Sequence, residues 1–142
     1  MPPGAAAACS PDGRKIVLHS MAVTRQSDIK GVFRLTGWFL LFAIGALSLV
    51  SPELRPITFF PHALEHFAIF FSTGVAFAVG YPKREWLLLF ALTAYAASIE
   101  YAQTSVPGRH ARLSDLAIDV TAACLGVMVV FIGVKLKRSH FD

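Results

Sequence analysis

Apolar residues gather into four runs, at about 35–50, 59–80, 86–104 and 113–134, and polar residues crowd into the short connections between them. A bilayer core of roughly 30 Å needs about 20 helical residues, or about 17 when flanking side chains snorkel. The second and fourth runs meet that length easily and the third adequately. The first does so with Arg34 reaching back toward the surface. The predicted fold is all-α, a polytopic membrane protein built as an antiparallel bundle of four transmembrane helices. Ser51-Pro52-Glu53-Leu54-Arg55-Pro56 breaks the first span, and Pro61 is tolerated in the first turn of the second. Gly80-Tyr81-Pro82-Lys83-Arg84 closes the second span with a tight turn, Val106-Pro107-Gly108 ends the third, and Ser114 is placed to cap the fourth. Gly126 with Ala122 and Ala123 offers a small-residue face for close helix packing.

Composition agrees with this pattern. At 55% hydrophobic and 15% charged residues, with mean hydropathy +0.58, a chain of 142 residues lacks the polar surface of a soluble domain. Charge adds an orientation. Arg14, Lys15, Arg25, Lys30, Arg34, Lys83, Arg84, Lys135, Lys137 and Arg138 fall on one side of the spans, against Arg55, Arg109 and Arg112 on the other. The positive-inside rule then places both termini in the cytoplasm. That asymmetry accounts for the net charge of +4 and the pI near 9.4, and the basic residues lack the interleaved aromatics of a nucleic-acid surface. Residues 1–30 read as a disordered cytoplasmic tail, 31–138 as the membrane domain and 139–142 as a short C-terminal tail. No apolar segment precedes Arg14 and Lys15 as in a signal peptide, and Met21-Ala-Val-Thr-Arg also reads as an ordinary start. Cys9 and Cys124 form no disulfide framework.

Against this apolar background the polar positions are informative, because ionisable residues inside membrane spans are costly and mark function by default. Glu100 and Gln103 are spaced i, i+3 near one end of the third span, and Asp115 and Asp119 i, i+4 at the start of the fourth. His62, Glu65 and His66 line one stripe of the second. Counting from Trp86 at the inner interface, Glu100 lies roughly 21 Å further along, in the outer third of the membrane. His66 and Asp119 fall at comparable depth, and the connection carrying Arg109 and Arg112 closes over them.

At these residues the chain resembles the VanZ-like family of small bacterial membrane proteins. The resemblance rests on His66-Phe67, Glu100-x-x-Gln103, Pro107-x-Arg109, Ser114-Asp115 and Gly126, in that order, over about residues 50–130. It departs from the family's pattern at His62-Ala63, where an Asp-Lys pair is frequent. It departs again at Asp119, where asparagine is usual, and at Ala122-Ala123, where glycine is common. The resemblance implies a multi-pass protein of the bacterial plasma (inner) membrane, associated in some relatives with resistance to a glycopeptide antibiotic. It supplies no established reaction.

The preferred reading is a non-enzymatic membrane accessory protein with a polar outer-leaflet pocket, formed by His66, Glu100, Gln103, Arg109, Arg112, Asp115 and Asp119. Its expected partners are membrane lipids, in particular the phosphorylated headgroup of an anionic lipid or cell-envelope precursor, and not nucleic acid. Arg109 would clamp phosphate through its two-pronged guanidinium, and Arg112 would assist. An excess of acids opposes this reading, because arginines consumed by carboxylates cannot hold an anion. The alternatives are an enzyme acting on a lipid-linked substrate with His66 as general acid–base beside Glu100 or Asp115, a purely structural helix clasp with function through a membrane protein partner or homo-oligomer, and a proton relay. His62-x-x-Glu65-His66 also matches a short zinc motif with Glu100 as a third ligand, but no metal or other cofactor is expected.

Overall fold

Local chemistry sets the helix limits. In the computed structural model, which describes residues 11–50, 61–106 and 112–139, four helices are α1 (Pro11–Leu49), α2 (His62–Gly80), α3 (Glu85–Gln103) and α4 (Leu113–Ser139). Pro61 stands just before α2, where its missing N–H costs nothing, and its carbonyl accepts from the N–H groups of Leu64 and Glu65 at 2.9 and 3.3 Å. At the other end Tyr81 N–H returns to the Phe77 carbonyl at 2.8 Å, and Pro82 prevents continuation. Arg84 then opens α3 by accepting from Leu88 N–H, with Glu85 in the first turn facing the positive end of the helix dipole. Three successive i to i+3 bonds tighten the chain after Gln103, from Thr104, Ser105 and Val106. The start of α4 differs from the expected cap. The Arg112 carbonyl receives Asp115 and Leu116 N–H, so Arg112 holds the capping position and Ser114 lies inside the first turn, its hydroxyl 3.2 Å from the Asp115 carboxylate.

The tail expectation is corrected over residues 11–30, which belong to the 39-residue α1; residues 1–10 and 140–142 lie outside the described ones. After Pro11-Asp12-Gly13 no proline interrupts the sequence. Extending an existing helix avoids the cost of nucleating a new one, so the membrane helix propagates outward into an exposed stretch around Ser20–Ile29.

Among the described residues three helices are long and apolar enough to cross a membrane, over Val23–Leu49, Ala63–Gly80 and Leu113–Lys137. The fourth expected span, α3, is not among them, because Glu85, Ser98, Glu100, Gln103 and three hydroxylated or phenolic positions dilute its apolar residues. Its outward face is nevertheless strongly apolar, with Trp86, Leu87 and Phe90 exposed, as are Leu35, Phe39 and Phe42 on α1 and Leu125 and Val129 on α4. Large apolar side chains exposed around the whole bundle suit a lipid environment rather than water.

Packing centres on α2, which touches α1 on one side and makes the most extensive interface of the molecule with α4 on the other; α3 rests mainly on α4. The close approach of α2 and α4 depends on absent side chains. A Cβ on Gly74 would collide with the Ala123 carbonyl, and one on Gly126 with the Phe71 carbonyl and, at 3.0 Å, the Val75 amide. The small-residue face at Ala122, Ala123 and Gly126 is thus realised, with Gly74 as its counterpart. Phe70, Phe77, Leu92, Ala96 and Val127 fill the core around it. Tyr95 ties α3 to α1 by donating to the Leu41 carbonyl at 2.6 Å.

Candidate functional site

The α2 face turned to α4 carries His66, Phe70, Thr73 and Gly74 at helical spacing, and the α4 face turned to α2 carries Asp119, Ala122, Ala123 and Gly126. The contact that brings the two glycines together therefore also brings the histidine to the aspartate. His66 Nδ1 lies 2.9 Å from Asp119 Oδ1, and the two residues are only 9% and 2% exposed. This shared hydrogen bond holds the ring in one orientation, with Phe70 stacked against it at 6.5 Å between centroids. The shared depth read from the sequence for these two residues is realised as a direct bond. Asp119 is thus a partner of His66 that the acid–base reading, which considered Glu100 or Asp115, did not name.

Glu100 is buried on α3 and accepts a hydrogen bond from the backbone N–H of Arg112. That N–H opens α4, so the carboxylate caps the helix from outside and sits at the positive end of its dipole. Gln103 is buried one turn further along α3. Asp115 is half-buried in the first turn of α4, and Arg112 directs an exposed side chain outward. Arg109, the expected phosphate clamp, lies outside the described residues, as do Pro107 and the side chain of His62.

His66, Asp119, Glu100 and Gln103 are thus buried at the end of the bundle holding the α3–α4 connection, with Asp115 and Arg112 at its rim. Among the described residues no group of three His, Cys, Asp or Glu side chains is placed to hold a metal ion. The chemistry on offer is hydrogen bonding by an oriented imidazole and a buried amide, beside an exposed guanidinium.

The sequence reading overlooked Gly74, whose only signal is its place on the stripe that holds His66 and Phe70. Arg34, expected only to reach toward the surface, also has partners that the sequence reading did not name: its Nε donates to the Gly80 carbonyl at 2.8 Å while its guanidinium lies over the Tyr81 ring at 4.7 Å. Arg34 snorkels by clasping the end of α2.

Comparison with family models gives a match to VanZ/LLP1 over residues 13–134, nearly the whole chain. The chain belongs to the VanZ/LLP1 family. Membership spans all four helices, including most of the long α1 and not only the stretch from 50 to 130 that carries the motif. No curated protein and no solved structure matches the chain.

Proposed function

We propose that this VanZ/LLP1 protein is a non-enzymatic accessory protein of the bacterial inner membrane whose polar end binds the phosphorylated headgroup of an anionic lipid or cell-envelope precursor. Four spans, with both termini in the cytoplasm, are part of this reading. The Lys and Arg asymmetry supports that orientation, and α3 fits as a span whose lipid-facing side carries Trp86, Leu87 and Phe90 while Glu100 and Gln103 turn inward.

The observation that carries the proposal is how the buried acids are satisfied. Asp119 takes the His66 imidazole and Glu100 takes the Arg112 backbone N–H. Neither bond uses the Arg112 side chain, so these two buried acids leave that guanidinium to an anion. Arg112 is exposed at the rim, and a bidentate guanidinium is the preferred partner of phosphate. The test is mass spectrometry of lipids that co-purify with wild type and with Arg112→Ala and Arg109→Ala. A phosphorylated lipid enriched on wild type and reduced about tenfold on the variants, a loss of about 1.4 kcal/mol, fits one charge-assisted contact removed. Identical lipid content on all three folded proteins defeats the proposal and leaves the cluster as a helix clasp.

One observation favours a second reading. A carboxylate on His66 Nδ1 orients the imidazole, as the orienting acid does for a general base, here one acting on a lipid-linked substrate. Turnover of a lipid-linked phosphate that disappears in His66→Gln would move the assignment to a membrane-embedded hydrolase or transferase.

A further inference from the structure

At the opposite end of the bundle, where the α2–α3 turn meets the last third of α4, lies a cavity of about 450 Å³. That volume is within the range of ligand clefts. It exists because α2 is drawn against α4 by the Gly74–Gly126 contact and packs only slightly on α3, its neighbour in sequence. Its walls are mainly apolar, with Leu88 from α3 and Val130 and Val134 from α4. Three charges stand on its lining: Lys83 from the turn, Lys135 from α4 and Glu85 from the first turn of α3. Two lysines and one glutamate thus line it, and the balance favours a singly negative ligand.

The backbone at Lys83 adds an independent observation. Its φ is +68°, and it is the only non-glycine residue with positive φ among the described residues. Turns give this left-handed position to glycine or asparagine, because a Cβ crowds the neighbouring carbonyl. A lysine kept there retains a charge at a conformational cost, and such strained positions gather at ligand clamps.

We propose that this cavity is a binding site for an anionic diacyl phospholipid, with an acyl chain along Leu88, Val130 and Val134 and the phosphate between Lys83 and Lys135. Basic pockets between membrane helices take anionic headgroups in this way. The site is separate from the polar cluster at the α3–α4 connection, which contains no lysine.

Amine acylation of the detergent-purified protein, read lysine by lysine by peptide mass spectrometry, tests it without interference from that other end. Phosphatidylglycerol should slow acylation of Lys83 and Lys135 about tenfold while Lys30 on α1 reacts at an unchanged rate. Phosphatidylcholine, or glycerol 1-phosphate without chains, should protect neither. In Lys83→Gly, which relaxes the turn and so preserves the fold, half-protection of Lys135 should need about fivefold more phosphatidylglycerol, the share of one lysine near an anionic headgroup. Lys135→Gln should shift protection of Lys83 by the same factor. Equal protection by phosphatidylcholine or by glycerol 1-phosphate overturns the proposal. So does unchanged protection in both variants, each with wild-type helix content by circular dichroism.

Discussion

Asp119 and His66 form the pair on which the buried end of the bundle depends, and its energetics follow from burial. Removing one partner leaves the other unsatisfied in an apolar setting, so Asp119→Ala should lower stability by about 1–3 kcal/mol. Asp119→Asn keeps an acceptor for Nδ1–H and should lose less. A double-mutant cycle with His66→Ala should give a coupling of about 0.6–1.7 kcal/mol, the span found for hydrogen bonds between membrane helices. Thermal unfolding in detergent measures all four proteins, and a coupling of zero would remove the bond from the account. The residues of this site were legible from the sequence because polar side chains stand out in apolar runs. Their pairing was not: helical spacing puts Asp115 and Asp119 on one side of α4, and only the packing on α2 chooses Asp119 for His66.

For the helices, the glycines make the sharper test. Ala at Gly126 would push its Cβ into the Phe71 carbonyl, a backbone atom that cannot swing aside, so α2 and α4 must separate. A cost of about 1–3 kcal/mol is expected, as for other overpacked sites. Gly31 and Gly133 have open space around the same atom, and Ala there should be neutral or stabilising by up to about 1 kcal/mol. Similar losses at all three positions, read from unfolding midpoints, would argue against close packing at Gly126. Ser114 shows why caps are harder to read than faces. Its sequence position fits a cap, yet Glu100 supplies an acceptor from another helix, which no local pattern encodes.

For the whole molecule, the topology turns on α3, whose hydropathy falls below that of the other three helices. Cysteines introduced at Ser20, Lys83, Thr104 and Ser139, in a background lacking Cys9 and Cys124, report it through labelling by a membrane-impermeant maleimide in intact cells. Four spans with cytoplasmic termini predict labelling at Thr104 alone. Labelling of Lys83 together with Thr104 would leave α3 on the outer surface and the termini on opposite sides.

The sequence by itself determined the all-α class, the membrane setting, the family and the residues of the polar end. Each follows from hydropathy, helical period or a local motif, properties that a linear pattern carries. The tertiary structure decided that α2 packs on α4 more than on α3, that Asp119 bonds His66, and that Glu100 caps α4. It also opened the lysine-flanked cavity beside the α2–α3 turn. The α2–α4 packing, the His66–Asp119 bond and the cavity depend on how closely those two helices approach, a distance set by Gly74 and Gly126 across a contact remote in sequence, whereas the Glu100 cap depends on how α3 rests on α4.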